Sequence, residues 1–538
     1  MTAASRENPS RSSWQRAAMV ASALWFSALA TFAVWTRLPM VREGLWRDEA
    51  ISVSVATAPS VSELLARNRV SDYNPPLFNL LLAGGTRIFG SEEIPLKVFA
   101  LLLGLLAVAG ATALAWELGG PVAAALTAAF GVNNPLLIEM STEIRAYSLS
   151  AFLATISLFV TFRIRRRPSG GGRGAYVGLW ALLTLLVYSH VAGGIVVAVL
   201  FAWGIFEWRG SPAVPFGRRL ALSALAAGGS YLFWIPTTWH QFRVGLPWQT
   251  PLSPSEKVES LLQRSAEVLL IPQAFEQPLF LVGMAALLGT AVLLGPAVAA
   301  RFAGRWEALV VPGLGGAAVW LTLGLFSDHS RYLIIPATLG IVVFSVALSR
   351  LMEAARGAPA KFRAAVGVAL AALIAASFSA RRDFYEGRWS VAERPKSGIR
   401  TLCRARQLGP GELVVVVPDY LAPTVWYYCG RPEDLHGFAR WNRPDLFDAR
   451  DHGARWRDPA APGVLISEIE ARLRDRNLSQ FTVVRENPPA GLLPFYEAQV
   501  EKSEGEIAHR FEGRSVGRFP GRIEPVEALV YEGPRREP

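Results

Sequence analysis

The stretch VFALLLGLLAVAGATALAW (98–116) decides the fold, because it holds 19 consecutive residues without a charged side chain. A second stretch, LGGPVAAALTAAFGVNNPLLI (118–138), follows directly after Glu117 and holds 21 such residues. A helix that crosses the hydrocarbon core of a bilayer needs roughly 20 apolar residues, and about 17 is the lower limit. Both stretches are therefore predicted to be transmembrane helices.

The same pattern recurs along the chain. The uncharged stretch 174–206 holds 33 residues and is too long for one span, so we expect two short helices that meet near SHVAGG (189–194). Each remaining stretch is long enough for one span, and these stretches cover 17–36, 146–162, 220–242, 277–300, 308–327, 332–349 and 364–380. The total is eleven spans. The first has no small-residue cleavage site before WTRLP, so we expect it to be retained and not removed as a signal peptide.

Composition excludes several classes of protein. Of the 538 residues, 51% are hydrophobic and only 18% are charged, whereas soluble domains carry about 25% charge. The formal net charge is nevertheless +11. A soluble enzyme, a fibrous protein and a disordered chain are excluded. The basic balance does not indicate nucleic acid as a partner, because the Arg-rich segments are short loops beside spans, where anionic membrane lipid is the simpler partner.

The distribution of basic residues predicts the orientation, because cytoplasmic loops carry an excess of Lys and Arg. With the N-terminus inside, the short inside segments hold 17 basic and 5 acidic residues, whereas the outside loops hold 12 basic and 14 acidic residues. The odd number of spans then places the C-terminal part outside. The apolar core of PPLFNLLLAGGTRIFG (75–90) is short for a span, so we expect this segment to lie at the outer surface.

Two domains are expected from this arrangement. Residues 1–380 form an α-helical transmembrane domain with outer loops at 38–94 and 237–276. Residues 381–538 form an extracytoplasmic α/β domain. Within it GELVVVVPDY, FTVVRE and EALVYEG contain predicted strands, and TVWYYCG is predicted to be helical.

Both cysteines, Cys403 and Cys429, fall in the outer domain. An oxidising compartment permits a disulfide between them, and two buried thiols are the alternative. Their spacing resembles no metal site, and no CxxC or HExxH motif occurs in the chain.

Two groups of polar residues occur in the first outer loop. WRDEAISV (46–53) contains the adjacent carboxylates Asp48 and Glu49, which could act as a general base on a hydroxyl or bind a divalent cation. SDYNPPLFNLLL (71–82) places Asp72, Tyr73 and Asn74 just before a helix that starts at Pro-Pro. The ordinary alternatives are a pair of loop acids and a helix cap.

Three more groups lie at the outer ends of later spans. EMSTEIRAYSLSAF contains Glu143, Arg145 and Tyr147, and Arg145 could hold a phosphate, although a Glu–Arg pair closing a loop is the alternative. His190 lies in YSHVAGG, where a histidine hydrogen-bonded between helices is the alternative to a catalytic role. SDHSRYLIIP contains Arg331 and Tyr332, and such an arginine could instead extend to the membrane interface. All five groups lie on one side of the predicted topology.

The order of these motifs resembles a known family. WRDEA after the first span, then a P-P-L helix, E-x-R-x-Y and R-Y-L-x-x-P is similar to polytopic glycosyltransferases of the GT-C fold. The bacterial branch with protein O-mannosyltransferases and lipid A aminoarabinose transferases is most similar. The resemblance covers roughly residues 15–350 and implies transfer of a sugar from a polyprenyl-phosphate carrier at the outer face of the inner membrane.

The resemblance also implies residue roles. Asp48 matches the acidic residue proposed to activate the acceptor, Glu49 matches its partner, and Arg145 falls near a functional charged position. Relatives often have His or Lys before the P-P-L helix, whereas this chain has Asn74, so Asp72 or Tyr73 is a candidate replacement.

The expected reaction is a single displacement that inverts the anomeric centre. In it Asp48 takes the proton of an acceptor hydroxyl, and Arg145, Arg331 or a divalent cation stabilises the leaving phosphate. The acceptor could be a lipid, a polysaccharide or a protein.

Two alternatives come from other classes of protein. A secondary transporter or flippase of envelope precursors would place its ionisable residues near the bilayer midplane, in two related halves. A scaffold or sensor would use the outer domain to bind wall polymers. The acids of this chain lie at the outer ends of spans and no repeated halves occur, which favours the transferase.

Overall fold

The uncharged stretches of the sequence form helices in the structure, a computed structural model. It describes residues 9–167, 171–211, 215–244, 253–269, 306–326, 329–356, 359–379, 395–405, 408, 412–429, 435–436, 457–487 and 494–534. The predicted span 277–300 lies outside these residues. The helices of the membrane part are α1 (Pro9–Arg37), α2 (Arg47–Ala56), α3 (Val61–Ser71), α4 (Leu77–Phe89), α5 (Glu93–Asn133), α6 (Pro135–Met140), α7 (Tyr147–Arg165), α8 (Arg173–Ser189), α9 (Val191–Gly210), α10 (Pro215–Ser230), α11 (Ile235–Val244), α12 (Pro254–Leu269), α13 (Glu307–Phe326), α14 (Ile334–Ala355) and α15 (Ala360–Ser379).

Two helix breaks explain how the long apolar stretches are divided. The 33-residue stretch splits at His190, whose extended backbone separates α8 from α9. This confirms the predicted pair of short helices. Helix α5 is broken at Gly120, which has φ +77° and is followed by Pro121. Glycine adopts positive φ without steric cost, and proline cannot donate the next helical hydrogen bond.

Several of these helices are suited to a bilayer. Among the described residues, five helices are long and apolar enough to cross a membrane, or six if the bent pair of α10 and α11 forms one span. Shorter apolar helices include α4, α8 and residues Glu307–Leu323. Helix α8, with 17 residues, is at the lower limit for spanning. The chain is therefore a multi-pass helical membrane protein.

The end of the membrane part opposite the motif-bearing loops carries an ion-pair network. Arg165 contacts both Glu207, at 3.0 Å, and Glu307, and so joins α7, α9 and α13. Glu117 pairs with Arg163 at 3.3 Å and with Arg166 at 3.0 Å. All of these residues belong to segments predicted to lie inside. The structure places them together at one end of the membrane part, as the predicted topology requires.

The C-terminal part forms an α/β domain, as predicted. Its strands are β1 (Leu413–Val417), β2 (Leu435–His436), β3 (Gln480–Glu486), β4 (Phe511–Phe519) and β5 (Val526–Pro534), and its helices are α16 (Gly398–Ala405), α17 (Ala422–Tyr428), α18 (Ala461–Asp475) and α19 (Pro494–Arg510). The five strands form one sheet in the order β2-β1-β3-β5-β4. Strand β1 is parallel to β2 and to β3, whereas β5 is antiparallel to β3 and to β4. Strand β1 is buried at all five residues, because helices cover the sheet.

The outer domain is tied to the first outer loop. A disulfide joins Cys403 in α16 to Cys429 at the end of α17, which decides between the two possibilities left open by the sequence. The Tyr428 hydroxyl accepts a hydrogen bond from the Leu45 N–H at 2.6 Å and donates to Glu93 at 3.1 Å. These contacts place α16 and α17 against the first outer loop, which carries Asp48 and Glu49.

Candidate functional site

The first outer loop presents its two carboxylates on the first turn of α2. Trp46 has an extended backbone, and its N–H donates to Glu49 Oε2 at 3.3 Å, which holds the start of the helix. Asp48 and Glu49 are adjacent in the chain but point into different surroundings. The Asp48 side chain is 20% exposed, whereas that of Glu49 is fully buried.

Asp48 is surrounded by guanidinium groups. Arg331 Nη1 donates to its Oδ2 at 2.9 Å, and Arg47 Nε lies 4.0 Å from Oδ1. Arg145 Nη1 donates to the Asp48 backbone carbonyl at 3.3 Å. Burial alone would raise the pKa of Asp48, but Arg331, Arg145 and Arg47 together hold it below its ordinary value. Asp48 is therefore a carboxylate at neutral pH.

Arg145 links α2 to the SDYN motif. Its two terminal nitrogens each lie 3.3 Å from an oxygen of Asp72, and Nη1 also donates to Ser52 Oγ at 3.1 Å. Asp72 is 3% exposed in its side chain. Its Oδ1 accepts from the backbone and side-chain nitrogens of Asn74 at 3.0 and 3.1 Å, and its Oδ2 accepts from Asn79 at 3.0 Å. Asp72 and Asn74 thus fix the position of Arg145.

Glu49 belongs to a cluster of four buried charges, the ion quartet, made of Glu49, Lys97, Glu143 and Lys396. Lys97 Nζ lies 2.5 Å from Glu49 Oε1, and Lys396 Nζ lies 3.4 Å from Glu49 Oε2 and 2.5 Å from Glu143 Oε1. Trp46 Nε1 donates to Glu143 Oε2 at 3.0 Å. Burial would raise the pKa of Glu143, but the ammonium groups of Lys396 and Lys97 and these hydrogen bonds lower it to about 2.

Three aromatic rings lie together beyond Arg145 and Arg331. The ring centroids of Tyr147, His190 and Tyr332 are 5.8 to 6.1 Å apart. His190 Nδ1 accepts from the Ala192 N–H at 3.1 Å, so the proton of a neutral imidazole lies on Nε2. Burial and the charge of Arg145 lower the pKa of His190 to about 4 despite the opposing effect of Asp72. Its buried Nε2 has no hydrogen-bond partner among the described residues.

The structure thus brings together most of the residues that the sequence singled out. Tyr73 is half-buried and packs against the hydrophobic core. Sequence reasoning missed Lys97 and Lys396. Lys97 was noted only as the edge of an uncharged stretch. Its position one turn inside an apolar helix could have indicated a buried ion pair. Lys396 lies 347 residues from Glu49, and no sequence pattern pointed to it.

The residues present do not suit a divalent cation. Both oxygens of Glu49 are occupied: Oε1 accepts from Lys97 and the Ile144 N–H, and Oε2 from Trp46 and Lys396. The oxygens of Asp48 face Arg331 and Arg47. Carboxylates that hold Ca²⁺ or Mg²⁺ direct free oxygens at the ion. Among the described residues, no group of three or more His, Cys, Asp or Glu could hold a metal.

Comparison with known proteins supports the fold. No family model and no curated protein sequence matches the chain. The structure is similar to that of ArnT from Cupriavidus metallidurans in the apo state, with a TM-score of 0.59 and 15% identity over 96% of this chain and 98% of that chain. The chain has the GT-C fold. ArnT bound to undecaprenyl phosphate gives a TM-score of 0.55 and 14% identity over 94% and 97% of the two chains.

A second GT-C protein matches over a comparable length of this chain. The Archaeoglobus fulgidus oligosaccharyltransferase, tethered with an acceptor peptide that contains the NVT sequon, gives a TM-score of 0.50 and 15% identity. The match covers 92% of this chain and 72% of that chain. The structural similarity therefore extends over most of this chain and is not limited to a few helices.

Proposed function

We propose that the protein is a membrane glycosyltransferase that moves a sugar from a polyprenyl-phosphate carrier to an acceptor hydroxyl. The reaction takes place at the outer face of the inner membrane, with the N-terminus in the cytoplasm. The acceptor is a lipid, a polysaccharide or a protein. Support comes from the GT-C fold, since neighbours with this fold include ArnT bound to undecaprenyl phosphate and an oligosaccharyltransferase tethered to an acceptor peptide.

One observation carries the proposal: Asp48 is an ionised, partly exposed carboxylate that accepts a hydrogen bond from Arg331, while Arg145 contacts its backbone carbonyl. The Nε–H groups of these two arginines are buried and lack an acceptor among the described residues. Two guanidinium groups with unused donors beside a carboxylate suit a reaction in which one substrate is a phosphate and the other a hydroxyl. Both substrates would then meet at Asp48.

In the proposed reaction Asp48 takes the proton from the acceptor hydroxyl while the oxygen of that hydroxyl attacks the anomeric carbon. The bond between that carbon and the phosphate oxygen breaks, and polyprenyl phosphate leaves with the electron pair. Arg145 and Arg331 stabilise the charge that develops on the leaving oxygen. A single displacement inverts the anomeric centre, so no covalent sugar–enzyme intermediate forms.

Donor binding would also activate the base. A phosphate that engages Arg331 competes with the Asp48 carboxylate for its hydrogen-bond donor, and the negative charge of the phosphate offsets the positive charges of Arg331 and Arg145. Both effects raise the basicity of the carboxylate. The proposed roles of the other polar residues follow from their contacts. Asp72 and Asn74 position Arg145. Glu49 and Glu143 hold the start of α2 and the 141–146 loop in place. His190 donates its Nε2–H to the lipid-linked sugar donor, beside Tyr147 and Tyr332.

The decisive experiment compares Asp48→Asn with the unaltered protein in proteoliposomes supplied with radiolabelled polyprenyl-phosphate sugars. A general base contributes about 100- to 10,000-fold to the rate, so a loss of that size is expected with normal folding. Glu92→Gln is the matched control, because Glu92 is an exposed acid of the same outer loop. Full activity of Asp48→Asn contradicts the assignment. Uptake of solute by the vesicles without sugar transfer would favour the transporter instead.

The sugar and the acceptor can be identified in the native cell. Mass spectrometry of envelope glycans and lipids from a deletion strain is expected to show one missing sugar modification. The same modification should return with the unaltered gene and not with the Asp48→Asn variant.

A further inference from the structure

Lys396 comes from the C-terminal part of the chain, yet its side chain lies inside the membrane domain's outer loops. It is fully buried, like Lys97 and Glu49 in the ion quartet. Its Nζ contacts Glu143 at 2.5 Å and Glu49 at 3.4 Å. The outer domain thus supplies one of the two cations that neutralise two buried carboxylates.

The backbone around Lys396 is fixed from both sides. Its N–H donates to the carbonyl of Glu43, in the first outer loop, at 2.6 Å. Its carbonyl accepts from the N–H groups of Ile523 and Glu524, in the outer domain, at 2.9 and 3.0 Å. Next to it, Arg47 N–H donates to Glu524 Oε1 at 2.9 Å. Lys396 therefore lies at the contact between the loop and the sheet domain.

The quartet connects two loops that carry the proposed reacting groups. Glu49 follows Asp48 on the first turn of α2, and Glu143 precedes Arg145 by two residues. Lys396 contacts both glutamates, so it draws the start of α2 and the 141–146 loop together. Without this cation, two buried carboxylates would share the single charge of Lys97, which is a strongly unfavourable arrangement.

We propose that Lys396 is a positioning residue through which the docked outer domain sets the geometry of Asp48 and Arg145. The inference rests on the proposed glycosyltransferase function. Lys396 does not contact the substrates. It acts by holding Glu49 and Glu143, and through them the two loops, at a fixed separation. The outer domain is therefore a part of the catalytic unit and not an appended binding module.

The test compares Lys396→Met with the unaltered protein, both as full-length chains in proteoliposomes. A misplacement of about 1 Å can cost about 100-fold in rate, so kcat per folded molecule is expected to fall by about 10- to 100-fold. The KM for the lipid-linked donor should change much less. Lys502→Met is the matched control, because Lys502 is an exposed lysine of the outer domain whose Nζ donates to the Pro459 carbonyl.

A second variant separates positioning from simple loss of folding. Lys396→Met combined with Glu143→Gln removes one cation and one anion, so the buried site is neutral again. Its thermal unfolding temperature is expected to recover, whereas kcat stays low because the bridge between the two loops is still missing. Recovery of both quantities would show that Lys396 acts on stability only, and so would unchanged kcat per folded molecule in Lys396→Met.

The outcomes distinguish this inference from the proposed function. If Asp48→Asn is inactive and Lys396→Met retains full kcat, the positioning role is wrong and the transferase assignment stands. If the unaltered protein transfers no lipid-linked sugar and Asp48→Asn has no effect in cells, the proposed function itself is wrong.

Discussion

At the residue scale, Asp48 has to satisfy two opposing demands. A base must be ionised to accept a proton, and Arg331 and Arg145 ensure this by lowering the pKa of Asp48. Arg331 makes the carboxylate a weak base as long as it remains bonded to it, and the charge of Arg145 acts in the same direction. A reaction that begins when a phosphate engages these arginines resolves the conflict, because the base then becomes stronger only when the donor is present.

Replacement of Arg331 tests this balance. In Arg331→Gln, Asp48 loses its 2.9 Å charge-assisted hydrogen bond, which contributes about 1.5 to 3 kcal/mol. Because Arg331 is the largest of the charges that lower the pKa of Asp48, this pKa should rise in the variant. Activity that needs the carboxylate is lost as pH falls through that pKa, so the acid limb of kcat/KM should move to higher pH.

The measurement is a pH–rate profile for both proteins from pH 8 to below pH 4, because the pKa of Asp48 in the unaltered protein lies below its ordinary value. Arg356→Gln serves as the control, because Arg356 is an exposed arginine that follows the C-terminal end of α14, whereas Arg331 lies in the turn before its start. A uniform loss of activity without a shift of the acid limb would show that Arg331 binds substrate without tuning Asp48.

Other residue-scale features were beyond prediction from the sequence. The topology predicted from the distribution of charges placed Asp48, Arg145 and Arg331 on one side of the membrane, and the structure brings them into contact. The sequence analysis predicted no helix at WRDEA, so it did not show that Glu49 points away from Asp48, as adjacent residues on a helix do. Nor could it find Lys396, because a contact across hundreds of residues leaves no local pattern in one sequence.

At the element scale, the uncharged stretches predicted which segments form helices, whereas individual residues determine where those helices end. The breaks at His190 and Gly120 each fall inside or beside a continuous apolar region. The strands of the outer domain were predictable because runs such as LVVVV favour a buried strand. The position of α16 and α17 over the first outer loop depends on long-range contacts, which residue patterns do not encode.

One close approach between elements controls the position of the 141–146 loop. A Cβ added at Gly104, in α5, would lie 2.1 Å from Ser141 Cβ and 2.6 Å from its Cα. Such a contact is impossible without movement of the backbone. In Gly104→Ala the loop that bears Glu143 and Arg145 should be displaced, and overpacking of this kind costs about 1 to 3 kcal/mol. We expect a lower unfolding temperature and at least about tenfold lower kcat.

Gly228→Ala is the matched control for that experiment, since a Cβ at Gly228, in α10, meets nothing within 4 Å. Alanine favours helices over glycine by about 1 kcal/mol, so this variant should be as stable as the unaltered protein or more so. Equal activity and stability for Gly104→Ala and Gly228→Ala would contradict the proposed packing.

At the scale of the whole molecule, the polar groups are separated into two ends. The ion quartet and Asp48 lie at one end, together with the outer domain. Arg165, Glu207, Glu307 and the partners of Glu117 lie at the other. Such a separation is expected for a protein with a bilayer between the two ends. The excess of basic residues predicts which end faces the cytoplasm.

That orientation can be tested with single thiols, because both native cysteines are paired and no free cysteine is present in the described residues. Three exposed serines are suitable positions: Ser211 in a predicted inside loop, Ser253 in the second outer loop and Ser467 in the outer domain. In spheroplasts treated with a membrane-impermeant maleimide, Ser253→Cys and Ser467→Cys should be labelled. Ser211→Cys should be labelled only after permeabilisation. The reverse pattern would invert the topology and place Asp48 on the cytoplasmic side, where an extracytoplasmic acceptor could not reach it.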